Sequence, residues 1–84
     1  MNASDDKPTV ADDVQAAREA WRKCLDIIRD NVNPQSFKTW FEPIVPLRLS
    51  GGELVIQVPS QFFYEWLEEN YYSLLKRTIL DVIG

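Results

Sequence analysis

Few side chains in this sequence are of a type that could carry out chemistry. It contains no histidine, so it lacks the commonest general base near neutral pH and the commonest nitrogen ligand of metals. Its single cysteine, Cys24, cannot form a zinc site alone and falls on an apolar helical stripe, where a packed thiol is expected. Glu65, Glu68 and Glu69 could pair for acid–base work, but their spacing places them on the solvated side of a helix. The sequence therefore predicts no catalytic residue and no metal site, and hence a protein that is not an enzyme.

Phe62 is the residue whose type and position best fit a binding role. At about 100° per residue, the apolar stripe of the last predicted helix lies between about 100° and 220° from Phe62, so Phe62 faces away from this stripe. Two interpretations stay open: the ring folds back onto neighbouring elements, or it is an exposed anchor for a partner. The apolar residues on the opposite side are Phe63, Leu67, Tyr71, Leu74, Leu75, Thr78 and Val82.

Two tryptophans raise related questions. Trp21 lies at the centre of the apolar stripe of the first predicted helix, which predicts a core residue. A short second helix that left this end uncovered would instead expose an apolar strip for self-association. Trp66 lies about 40° from Phe62, so we expect it at the boundary of the core, partly packed.

The composition limits the class of protein. With 84 residues, 45% of them hydrophobic, the chain suffices for one small domain. A single cysteine excludes an internal disulfide and fits a reducing cytoplasm, and no apolar run reaches the roughly 20 residues of a membrane span. The net charge of −4 disfavours tight binding to phosphate backbones. We therefore expect a soluble cytoplasmic protein, not bound to a membrane, whose partners are mainly proteins.

The pattern of apolar residues and helix breakers predicts an α+β fold in the order helix-helix-strand-strand-long helix. Residues 1–12 read as a flexible acidic tail, not a signal peptide, and residues 13–84 as the domain. Asp12 or Asp13 is the expected cap of the first helix, which should end near residues 31–33. Its apolar stripe consists of Val14, Ala17, Trp21, Cys24, Leu25, Ile28 and Val32.

Capping and turn residues predict the boundaries of the remaining elements. Asn33-Pro34 is a cap followed by a proline at the first helical position, and it opens a short second helix. Strands at about 44–49 and 53–58 flank Gly51-Gly52, which suits a hairpin turn and lacks the Lys-Ser/Thr of a phosphate-binding loop, so no nucleotide cofactor is expected. Ser60 is the expected cap of the last helix. Alternate apolar residues in both strands predict one buried and one exposed face: Leu47, Leu49, Leu54, Ile56 and Val58.

Several motifs together resemble the N-terminal domain family of DnaA-type bacterial replication initiators, over about residues 17–80. The quoted residues are Trp21-x-x-Cys24-Leu25, Pro34-x-Ser36-Phe37-x-x-Trp40-Phe41-x-Pro43, Leu54-x-Ile56-x-Val58-Pro59-Ser60-x-Phe62 and Trp66-Leu67. The resemblance implies a KH-like fold with a third strand after the last helix. Since the sequence ends at Gly84, we expect that strand to be missing and one edge of a two-stranded sheet to be exposed.

The resemblance also implies a function and a site. Domains of this family are interaction hubs that self-associate, help to load the replicative helicase and bind regulators of initiation. Phe62 matches an aromatic helicase-contact position, whereas Ser36 stands where some members have an acidic helicase contact. Thr39 and Trp40 match a surface used by regulators, although Trp40 also fits a core role, and Trp21 matches an aromatic associated with self-assembly. The predicted partner surface lies where the starts of the second and last helices meet, and it consists of Ser36, Thr39, Gln61 and Phe62.

Two other functions stay open. Some members of the family contact single-stranded DNA weakly, and Phe62 could stack on bases while Arg18, Arg22, Lys38 or Arg48 contact phosphates. Against this, the loop at residues 31–34 contains no glycine and so lacks the GXXG clamp of KH domains. The chain could also be a free-standing structural domain, or a regulator that mimics the terminus of an initiator.

Overall fold

A computed structural model describes residues 10–84, so most of the predicted tail at residues 1–12 lies outside the described residues. The described part folds as α1 (Val10–Arg29), α2 (Pro34–Trp40), β1 (Val45–Ser50), β2 (Glu53–Gln57) and α3 (Gln61–Ile83). The predicted α+β class and the predicted element order are confirmed. Within residues 10–84 the two strands form one antiparallel sheet.

Helix α1 begins and ends earlier than its sequence pattern predicted. It starts at Val10, so Asp12 and Asp13 lie in its first turn instead of capping it. Their negative charges remain favourable there because the first turn carries the positive end of the helix dipole. The helix ends at Arg29, and a turn leads into α2. The predicted stripe is confirmed, with Ala17, Trp21, Cys24 and Ile28 buried.

The predicted side-chain caps of α2 and α3 are both present. Asn33 accepts a hydrogen bond at its side-chain oxygen from the Ser36 backbone N–H, at 2.7 Å, and Pro34 follows as the first residue of α2. Ser60 accepts one at its Oγ from the Phe63 backbone N–H, at 3.1 Å. Each cap satisfies a backbone donor that the helix leaves unpaired, a contribution of about 1 kcal/mol.

The hairpin departs from simple alternation at one residue. Strands β1 and β2 pair from Ser50↔Glu53 to Val45↔Gln57, but a bulge lies between Pro46 and Arg48. The extra residue, Leu47, is 41% exposed, so its predicted place on the buried face is wrong. The extra residue of a bulge has no partner across the sheet, and the strand bends there, which explains the error. The turn itself is as expected, because Gly51 and Gly52 both have positive φ, of 60° and 78°.

The core lies where α1, α2, the start of β1 and α3 converge. Strand β1 and helix α3 are the elements that α1 contacts most extensively. Among residues 10–84, no helix combines the length and apolar character needed to cross a membrane. The buried apolar cluster consists of Trp21, Cys24, Ile28, Phe37, Phe41, Ile44 and Leu67.

Candidate partner-binding surface

A chain of aromatic rings joins α2 to the first half of α3. Neighbouring rings along it have centroids between 3.9 and 6.3 Å apart. Aromatic pairs at such distances contribute about 0.5–1.5 kcal/mol each beyond the burial of their area. The chain therefore holds the short helix α2 against α3. In order, its rings are Phe37, Phe41, Tyr71, Trp66, Trp40 and Phe63.

The closest pair in this chain is Trp40 and Trp66. Their rings are parallel within 3°, with centroids 3.9 Å apart, and Trp40 also contacts Phe63 at 5.0 Å. Trp40 is the last residue of α2, whereas Phe63 and Trp66 lie in the first two turns of α3. The two helices are thus joined from the end of α2 to the start of α3, not from start to start as the sequence suggested. Ser36 lies one turn before Trp40 on α2.

Phe62 projects from the start of α3 on the side away from this packing. Its side chain is 68% exposed, while the next residue, Phe63, packs against the core cluster. Consecutive helical residues are about 100° apart, so one aromatic can point inward and its neighbour outward. The interpretation of Phe62 as an exposed ring is confirmed, and the alternative in which it folds back is wrong. The Ser60 cap orders the backbone that carries it.

The other predicted partner residues form local hydrogen bonds. Ser36 is half-buried and Thr39 is exposed, and Thr39 accepts a hydrogen bond at Oγ1 from Gln35 Nε2 at 3.0 Å. Gln61 is exposed and donates from Nε2 to Glu65 Oε2 at 3.1 Å. Trp40 is half-buried, so it has both a packed and an accessible part. The binding roles of these four residues remain predictions.

Trp21 is placed differently from the rest. Only 2% of it is exposed, so its interpretation as a core residue is confirmed. Its buried Nε1–H has no hydrogen-bond acceptor among the described residues. The proposed part of Trp21 in self-association stays a prediction, and its burial argues against a direct contact with a second copy.

Burial and local contacts set the environment of Cys24, Tyr64 and Arg29. Cys24 is fully buried, and this burial raises the pKa of its thiol from 9.0 to about 11. Glu68 accepts a hydrogen bond from the Tyr64 hydroxyl at 3.0 Å, and this bond together with the charge of the carboxylate raises the pKa of Tyr64. Arg29 is 3.6 Å from Asp26 at the surface and lies over the Phe37 ring.

A family model for the DnaA N-terminal domain matches residues 18–80. The chain belongs to the DnaA N-terminal domain family. The chromosomal replication initiator protein DnaA of Chlorobaculum tepidum is 56% identical over 68 residues, which are 81% of this chain and 14% of that protein. That of Bacteroides fragilis is 56% identical over 64 residues, 76% of this chain and 13% of the initiator.

A more distant DnaA, from Thermodesulfovibrio yellowstonii, is 36% identical over 64 residues, 76% of this chain and 15% of the initiator. The chain thus spans about one seventh of the length of these initiators.

Two carboxylates beside Phe62, which the helical pattern predicts only as part of a solvated face, belong to this surface. Glu65 and Glu69 are exposed and follow Phe62 by three and seven residues on α3. Residues at those separations share one side of a helix, so both carboxylates flank the exposed ring. The helical spacing from Phe62, applied to charged as well as apolar residues, would have identified them.

Proposed function

We propose that this chain is the non-catalytic interaction module of a cytoplasmic chromosomal replication initiator, and that it helps to load the replicative helicase. In this proposal Phe62 is the central contact with the helicase, and Gln61 and Ser36 are further contacts. Thr39 and Trp40 bind regulators of initiation, and copies of the domain associate weakly with one another. The sequence similarity to chromosomal replication initiators supports a role in replication initiation.

The observation that carries the proposal is the exposure of Phe62 on an ordered helix start. A large aromatic side chain that is 68% exposed gives up most of the stabilisation that burial would provide. Exposed aromatics on rigid elements are typical anchors of protein interfaces, where a few such residues supply most of the binding energy. The aromatic chain beneath α3 supplies that rigidity.

Weak individual contacts suffice for such a function. In this proposal many copies of the initiator gather on DNA, and each copy presents this domain to the same helicase. Binding at a second and third site is then intramolecular, and the combined affinity can exceed the single affinity by about 10²–10⁴-fold. A small surface centred on one ring is therefore adequate for loading.

The test is an NMR titration of the isotope-labelled chain with the cognate replicative helicase, repeated with Phe62→Ala. We expect backbone amide shifts around Ser36, Thr39 and Phe62, and a loss of affinity of about 30-fold or more in the variant, as for an interface hot spot. Leu80→Ala is the matched control, because Leu80 is 57% exposed and lies on the same helix far from Phe62.

A different result would identify a different function. If the helicase shifted no resonances while a single-stranded oligonucleotide shifted those around Phe62, DNA binding would replace helicase docking as the main activity. A steep fall in that affinity with added salt would confirm the change, because phosphate contacts release counterions.

A further inference from the structure

The charges around Phe62 are all of one sign over the first half of α3. Glu65, Glu68 and Glu69 precede the first basic residue of the helix, Lys76. At about 100° per residue, Glu65 and Glu69 lie about 60° and 20° to one side of Phe62, whereas Glu68 lies about 120° away. Along the axis, Glu65 and Glu69 are about 4.5 Å and 10 Å from Phe62.

The other side of Phe62 is apolar. Trp66 lies about 40° from Phe62 in the opposite direction and is stacked on Trp40. The exposed ring thus has a carboxylate flank on one side and an aromatic flank on the other. A complementary partner therefore needs positive charge on one side of the ring and apolar surface on the other.

Among residues 10–84, no cation pairs with the carboxylate flank. Neither Glu65 nor Glu69 forms an ion pair with any residue between 10 and 84. The nearest basic residue on α2, Lys38, lines a separate cavity with Arg29 and Glu42. On α3, the ammonium group of Lys76 lies over the Tyr72 ring, beyond Glu69. The two charges are therefore available to a partner.

We infer that the partner of this surface is a protein with an apolar pocket for the Phe62 ring, bordered by Lys or Arg side chains that face Glu65 and Glu69. The inference rests on the proposed function and adds the chemistry of the partner's side. Charged groups at the rim of an interface mainly raise the association rate and exclude partners of like charge. The same flank repels a phosphate backbone, so it favours a protein over single-stranded DNA at this position.

Glutamate side chains on α3 also have a purely structural effect. They favour the helical conformation and keep the surface soluble, although none of them lies in the first turn, where the helix dipole acts. Glu68 shares this effect but lies about 120° from Phe62, hydrogen-bonded to Tyr64. A comparison of Glu68 with Glu65 and Glu69 separates docking from helix stabilisation.

The experiment measures helicase affinity for a double variant, Glu65→Gln with Glu69→Gln, at about 0.05 M and 0.3 M salt. We expect affinity about three- to tenfold weaker at the lower salt and a smaller difference at the higher. The matched control is Glu68→Gln with Glu53→Gln, which removes the same charge from exposed positions elsewhere and should change affinity less than twofold. Circular dichroism establishes that both variants keep their helix content.

An oligonucleotide of deoxythymidine provides the second arm. We expect the Glu65/Glu69 variant to bind it more tightly than the unmodified chain, because two repulsive charges are gone. If helicase affinity is unchanged in this variant but lost in Phe62→Ala, the inference is wrong and the proposed function stands. If Phe62→Ala also leaves helicase affinity unchanged, the proposed function fails with it.

Discussion

Trp21 provides the sharpest test of how this fold is stabilised. It is 2% exposed on α1 and packs within the core cluster, yet its Nε1–H has no acceptor among the described residues. The ring therefore contributes favourable burial and an unfavourable unpaired donor at once. Two substitutions separate these effects: Trp21→Ala removes both, and Trp21→Phe removes the donor while keeping most of the packing.

The expected magnitudes differ widely. Trp21→Ala should lower the free energy of unfolding by about 3–5 kcal/mol, the usual range when a buried aromatic is truncated. For a domain this small, that is most of the total stability. Trp21→Phe leaves a smaller cavity but relieves a buried unpaired donor, which costs about 1–3 kcal/mol. The two terms oppose each other, so we expect a net change within about 1.5 kcal/mol.

Urea unfolding monitored by circular dichroism measures both variants, and Trp40 and Trp66 remain as fluorescent probes of tertiary structure. Sedimentation equilibrium over a concentration series measures self-association of the Trp21→Phe variant in parallel. We expect that variant to associate as the unmodified chain does, because the ring is buried in the monomer. The reasoning is refuted if Trp21→Ala folds with a loss below about 1 kcal/mol while abolishing association, since Trp21 would then belong to an interface.

Three further predictions concern the helix cap and the buried thiol. Ser60→Ala should lower the free energy of unfolding by about 1 kcal/mol and increase hydrogen exchange of the amides in the first turn of α3. Ser60→Asn keeps a side-chain acceptor, so its stability and its exchange rates should stay close to those of the unmodified chain. Equal exchange in the two variants would contradict the role of the cap. Because the pKa of Cys24 is raised from 9.0 to about 11, the thiolate fraction at pH 8 is about 100-fold lower than for a free cysteine, so native Cys24 should react with a disulfide reagent at least that much more slowly than in urea. If native Cys24 reacted at pH 8 as fast as in urea, the thiol would be accessible and this prediction would be wrong. The folded state holds the thiol proton more tightly than the unfolded state does. The contribution of Cys24 to stability is therefore complete below pH 9, and urea unfolding should show it falling as the pH rises from 9 toward 11.

Much of the fold was predictable because α1 and α3 are long enough for their periodicity to be unambiguous. The buried residues of α1 are members of its predicted stripe, together with Ala20. On α3, Leu67 and Thr78 are buried as expected, and the remaining stripe residues are partly buried. Over such lengths the direction of each side chain follows from the helical repeat alone. The outward direction of Phe62 follows from the same argument.

The errors occur where a single local choice decides the geometry. A strand of six residues holds too few positions for its pattern to reveal a bulge, so the exposure of Leu47 was not predictable. Helix α2 has seven residues, so periodicity cannot tell which of its ends faces α3. That question is decided by the stacking of Trp40 on Trp66, which joins residues distant in sequence. Contacts between residues distant in sequence leave no local sequence pattern from which they could be predicted.

This stacking also explains how one helix start can serve both the core and the surface. An exposed anchor binds well only if little conformational freedom is lost when its partner arrives. Phe63 and Trp66 are held by Trp40 on the inner side of α3, and Ser60 holds the first turn from its end. Phe62 lies between these restraints in sequence but points away from them, so its backbone is ordered before any contact forms. The residues that bury α3 therefore also prepare Phe62 for binding, which is why the core of the domain and its proposed docking surface meet at the same two turns.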